Sequence, residues 1–123
     1  MSTTLETYKI QFVTKFIQGG YEDQFYSINS VFSQFVNGYT DTDEVSIFLL
    51  SAINDVVTGV VPQILMKSET MVTAKISNDN TELFWLSHSA SVDPPDYSLP
   101  TNDLQEIAEA WLDYLQKSIT NSL

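Results

Sequence analysis

Between residues 71 and 87 the hydrophobic pattern of this chain changes period. MVTAKI (71–76) alternates apolar and polar residues, SNDN supplies a polar turn, and TELFWLS (81–87) is rich in aromatic and apolar side chains. Alternation with a period of two is the mark of a half-buried strand and cannot be presented on one face of a helix. The pair is predicted to form an antiparallel hairpin, 71–76 against 81–87. An isolated hairpin is marginal in water, so one of its faces must pack on something else. That requirement fixes the class as α+β: about four helices packed on a small antiparallel sheet. Upstream, VVPQILMK in the region 60–67 reads either as a third strand or as a short helix opened by Pro62.

The flanking segments repeat at three and four, as helices do. Leu5, Tyr8, Phe12 and Phe16 form one such series, broadened by Val13 and Ile17 and stopped by Gly19-Gly20. Phe25, Ile28, Phe32 and Phe35 form a second, with Asn37-Gly38 as its exit. A third opens at Asp41, where Asp41 and Glu44 have the spacing of a capping box. Val45, Phe48, Leu49, Ala52, Ile53, Val56 and Val57 then make a wide apolar face that ends at Thr58-Gly59. The fourth, C-terminal and amphipathic, runs from about Thr101 to Ile119. Leu104, Ile107, Ala108, Trp111, Leu115 and Ile119 point inward, and Lys117 lies near the end, where a cation suits the helix dipole. With 123 residues, 43% of them hydrophobic, and no linker or repeat, residues 1–123 read as a single α+β domain.

Composition removes whole classes of chemistry. The chain has no cysteine, which excludes disulfides, thiolate metal sites and cysteine nucleophiles. With a single histidine, His88, a structural zinc site is excluded as well. The four glycines never fall into a phosphate-loop or dinucleotide pattern. The serines beside His88 would point to opposite faces of a strand, and no nucleophile elbow accompanies them, so His88 reads as a surface residue at a strand end. The turn SNDNTE lacks the spacing and glycine of a calcium loop. No catalytic residue, metal site or cofactor is expected. The opening MSTTLETYKI lacks the basic start and apolar run of a secretory signal, and no stretch approaches the length of a membrane span. Those features lead to the expectation of a cytoplasmic protein.

Charge is the most unusual property. Sixteen acids face five basic residues, all lysine, for a net charge of −11. Such a field repels nucleic acid and anionic membranes and attracts a basic protein. On the last helix Asp103, Glu106, Glu109 and Asp113 cluster opposite the apolar stripe, and the helix has no lysine until Lys117, where solvated faces ordinarily interleave basic residues at i+4. The segment 88–100 before it is long for a passive connection. It holds Asp93 and Asp96 around Pro94-Pro95, with Tyr97 as an aromatic anchor.

The expected function is therefore a non-catalytic protein-binding inhibitor. In its most concrete form this is a bacterial immunity protein that neutralises a basic toxin such as a nuclease, with Asp93, Asp96, Tyr97, Asp103, Glu106, Glu109 and Asp113 as the partner-binding set. A secretion chaperone and a phage-type nucleic-acid mimic also fit a small acidic domain. In a different class, so does a small-ligand-binding domain or hydrolase with a pocket near His88.

Overall fold

The computed structural model describes residues 3–68 and 70–118. Among these the elements are α1 (Thr3–Thr7), β1 (Gln11–Ile17), β2 (Gly20–Tyr26), α2 (Ser30–Val36), α3, β3 (Gln63–Lys67), β4 (Val72–Ser77), β5 (Asn80–Trp85), β6 (Tyr97–Pro100) and α4 (Thr101–Lys117). Helix α3 is continuous, a π-helical stretch Glu44–Leu50 leading into an α-helical stretch Ser51–Val57. The chain is α+β, with the expected C-terminal helix; Ile119 lies outside the described residues.

The 71–87 hairpin forms as its period requires. β4 and β5 pair antiparallel from Val72↔Trp85 to Ile76↔Thr81. β3 adds to the free side of β4 from Gln63↔Ser77 to Lys67↔Thr73, so the 60–67 region supplies a strand. β6, drawn from a segment with no readable period, pairs Thr81↔Leu99 and Leu83↔Tyr97. The result is a four-stranded meander in the order β3-β4-β5-β6. Register assigns its faces. Val72, Ala74, Ile76, Thr81, Leu83 and Leu99 share the buried face, which packs against α2, α3 and α4.

The N-terminal third departs from the helical expectation. Between residues 3 and 26 only Thr3–Thr7 is helical. Lys9 takes a positive φ of 53°, and residues 11–26 form a second hairpin, from Gln11↔Tyr26 to Ile17↔Gly20. Its turn is Gln18-Gly19, both at positive φ (50° and 84°), the geometry of a two-residue hairpin loop. Gly19 thus turns a hairpin and does not stop a helix. Phe12 and Phe25 are directly opposite one another and face Trp111, at ring-centroid distances of 5.4 and 5.7 Å. The second helix is correspondingly shorter than expected. Asn29 caps it, its Oδ1 accepting the N–H groups of Val31 and Phe32. Phe25 belongs to β2, and Ile28 lies exposed in the connection.

At the start of α3 the capping box is realised. Glu44 Oε1 accepts the Asp41 N–H and Asp41 Oδ2 accepts the Asp43 N–H, both at 3.2 Å. The π winding that follows keeps Val45 and Leu49 inward but swings Phe48 out, leaving it 60% exposed, where helical spacing had placed it in the core. Gly38, at the exit of α2, is demanded by packing. A Cβ there would lie 1.7 Å from Ser68 Oγ, which donates to the Phe35 carbonyl.

Trp111 sits at the centre of the core, fully buried. Its Nε1–H donates to the Tyr39 carbonyl at 2.7 Å, and its ring stacks on Tyr114. Removing it opens a large cavity between the hairpin, the α2–α3 connection and α4. Trp111→Ala is expected to lower stability by ~3–5 kcal/mol in urea melts. A loss below about 1 kcal/mol would mean that the indole is not the packing centre.

Candidate binding surfaces

Two surfaces carry the side chains with chemical potential, and they lie on opposite sides of the four-stranded sheet. The first is the outward side of α4. Its apolar stripe of Leu104, Ile107, Ala108, Trp111 and Leu115 is buried as expected. One flank is then covered by the N-terminal elements. Tyr8 Oη donates to Asp103 Oδ2 at 2.7 Å and Thr4 Oγ1 to Glu106 Oε1 at 3.1 Å, which attaches α1. Tyr114 Oη hydrogen-bonds Thr14 Oγ1, and Ser118 Oγ donates to Asp23 Oδ1, which attaches the β1–β2 hairpin.

The acids of α4 consequently differ in what they do. Asp103 is half-buried and serves Tyr8, whereas Glu109 and Asp113 are exposed. Glu106 is exposed but holds Thr4. Lys117 pairs with Asp113 at 3.1 Å, a fully solvated i,i+4 contact of small energetic weight. Tyr97 is drawn into the same neighbourhood from β6. Its ring stacks on Phe32 at 6.0 Å, Phe32 meets the Tyr8 ring edge-on, and burial pushes the Tyr97 phenol up. Burial, with the hydrogen bond to Asp103 and its negative charge, pushes Tyr8 up further. Tyr97 and Asp103 are therefore joined through Phe32 and Tyr8.

Beyond the rung Thr14↔Asp23 the β1–β2 hairpin projects past the end of α4. At its tip Phe16 is 65% and Tyr21 50% exposed, their rings in edge-to-face contact at 5.2 Å. The aromatic spacing at three and four had placed Phe16 in a helical core. Only recognition of the turn at Gln18-Gly19 would have put it on a protrusion.

The second surface lies on the other face of the sheet. Phe84 points to that face, opposite Thr73, yet it is only 1% exposed and stands apart from the main core. On this side of the sheet Leu86 and residues 88–91 fold back beside the outward residues of β3 and β4. Of the two acids expected in a docking loop, Asp96 ties the fold-back to β5 and Asp93 closes a turn within it. Asp96 Oδ2 accepts the Trp85 N–H at 2.9 Å and contacts His88 Nδ1 at 2.7 Å, and the Asp96 N–H donates to the Leu83 carbonyl. Asp93 Oδ2 accepts the Ser89 N–H, while its own N–H donates to the Ser89 carbonyl. The Trp85 N–H bond above all, with His88 in support, holds the Asp96 carboxyl below the usual carboxylate range against the opposing effect of burial. Between the folded-back loop and the sheet is a cleft of about 380 Å³ bordered by His88, Ser89 and Ser91 on one side and Lys67 and Lys75 on the other.

No His, Asp and Glu side chains among the described residues assemble in threes as a metal centre would need. None of the serines near His88 hydrogen-bonds its ring, so the Asp96–His88 pair is not extended to a nucleophile among those residues. No helix among the described residues is long and apolar enough to cross a membrane. Comparison with family models, curated proteins and solved structures finds no match for this chain.

The Asp96 clamp has a pH signature. A carboxyl whose native pKa is depressed contributes stability that is complete above its ordinary value of ~3.9 and is lost as pH falls through the lower native value. The protection of the Trp85 amide, measured relative to its intrinsic exchange rate, should therefore fall selectively below about pH 4. Asp96→Asn should show the lost protection at Trp85 already at neutral pH. Unchanged protection in Asp96→Asn would show that the loop is held by other contacts.

Proposed function

We propose that this chain is a non-catalytic protein-binding inhibitor of the immunity-protein kind, which neutralises a basic toxin domain such as a nuclease by docking it on the outward side of α4. The observation that carries this reading is the combination of an acidic helix side with an adjacent aromatic protrusion. Glu106, Glu109 and Asp113 stand on that side with Lys117 as the one basic residue of the helix. Phe16 and Tyr21 lie exposed on the hairpin that Tyr114 and Ser118 hold against the helix. Negative charge raises the encounter rate with a basic partner, and aromatic side chains that lose water on contact supply the retention.

The division of labour among the acids refines the partner-binding set. Asp103 and Tyr97, linked through Phe32 and Tyr8, form a half-buried margin of the face. Asp93 and Asp96 hold the loop on the other side of the sheet and reach a partner only if it wraps the sheet edge. Glu109 and Asp113 are free of such internal duties, apart from the solvated Lys117 pair, and can be changed without disturbing the fold.

The test is association kinetics with a partner captured from the native host. The combined variant Glu109→Gln and Asp113→Asn should slow association and flatten its salt dependence while leaving the urea midpoint within error. Phe16→Ala and Tyr21→Ala should instead speed dissociation. Equal on-rates for wild type and the amide variant, or a captured partner that is itself acidic, would remove the reading.

A further inference from the structure

We propose that the cleft between the folded-back loop 86–96 and the outer face of the sheet is a binding site for a small organic oxyanion, a carboxylate or phosphate monoester attached to a short apolar group. The site is distinct from the acidic side of α4, and either can fail without the other.

The argument starts from strand register. Leu65 lies directly opposite Lys75, and Lys67 lies directly opposite Thr73, so the two lysines are diagonal neighbours on one face of adjacent strands. Diagonal side chains of that kind are ~7–8 Å apart, within reach of one another for residues as long as lysine. Two of the chain's five basic residues are thus brought together in a molecule with a net charge of −11. Neither forms an ion pair among the described residues. The described acids around them do not neutralise them by contact. Glu82 stands across the strand from Lys75, and Glu44 borders an adjoining cleft that Lys67 also lines, but neither comes within ion-pair distance. Two positive charges at that separation repel one another, and an anion between them would relieve the repulsion.

The cleft also has the rest of what an oxyanion needs. Among the described residues no carboxylate lines it. Ser89 and Ser91 bring hydroxyls to the rim, linked to each other at 2.9 Å, so that the accepting hydroxyl keeps its proton for a ligand oxygen. His88 stands beside them with Nδ1 committed to Asp96, which leaves Nε2 as the ring nitrogen available to a ligand. The loop that carries these groups is held in place by Asp93 and Asp96, so the site is formed before a ligand arrives. An apolar wall completes it. Leu65 and Leu86 border the cleft and are 61% and 57% exposed, a surface that an apolar ligand group would cover. At about 380 Å³ the space suits a small molecule and not a polymer.

The experiment is an amide NMR titration of the whole chain with benzoate and with phenyl phosphate, and with benzyl alcohol as the uncharged counterpart. Saturable shifts confined to residues 65–67, 73–75 and 86–91 are expected for at least one of the two anions, and the tighter of them identifies the head group. The double variant Lys67→Gln and Lys75→Gln, the first exposed and the second half-buried on the outer face, should keep the wild-type spectrum elsewhere and weaken binding by at least about tenfold. Benzyl alcohol should not saturate the site. Failure of both anions to saturate at millimolar concentration, equal binding to the double variant, or equal binding of benzyl alcohol would each overturn the proposal.

Discussion

Trp111 is the contact on which the other elements depend. Its indole is fully buried, lies against Phe12 and Phe25 of the first hairpin, and donates its one polar hydrogen to the Tyr39 carbonyl. A two-stranded sheet has too little surface to hold itself together in water. The β1–β2 hairpin persists because its inner rungs close on Trp111 and Tyr114 of α4. The same helix packs on β5 and β6 and on α3. Helix α4 is therefore wedged between two sheets that do not pair with each other, and the side it turns to water is what remains after both have been served.

That geometry separates the charges of the molecule. Acids accumulate on the outward side of α4, where the wedge leaves helix surface uncovered. The lysines Lys67 and Lys75 lie on the far face of the four-stranded sheet under a loop fixed by Asp93 and Asp96. A basic protein and a small anion would thus be received at different places. The proposed protein-binding function uses long-range attraction by the net charge, whereas an anion must approach against that field and be held by short-range contacts. Closure of the loop matters more for the second, since a defined cleft is what lets a few groups act together.

Much of the fold was legible, and the failures have identifiable causes. The β4–β5 hairpin, the α4 stripe and the Asp41–Glu44 cap were readable because period, turn and cap all agreed locally. The β1–β2 hairpin was not, because Phe12, Val13, Phe16 and Ile17 satisfy a helical face and a two-sided strand equally well. Gln18 in place of the usual Asn or Asp also hid its turn. β6 is four residues long with only Tyr97 and Leu99 alternating, too short for any period to register. Phe48 was misplaced because a π-helical stretch shifts the register of a face by an amount no residue announces. At the sites, the acidic side of α4 was visible in spacing alone. The internal duties of Asp93, Asp96 and Asp103 depend on partners far away in sequence, as does the meeting of Lys67 with Lys75.

The central functional claim is that a basic protein docks on the outward side of α4 and the hairpin tip beside it. Amide cross-saturation from an unlabelled captured partner to the labelled chain locates the contact residue by residue. Loss of intensity at Glu109, Asp113 and residues 16–21, with Lys75 and Ser89 unaffected, is the predicted result. Attenuation concentrated on residues 86–96 and β3, with the α4 signals unchanged, would contradict it and move the interface to the other face of the sheet.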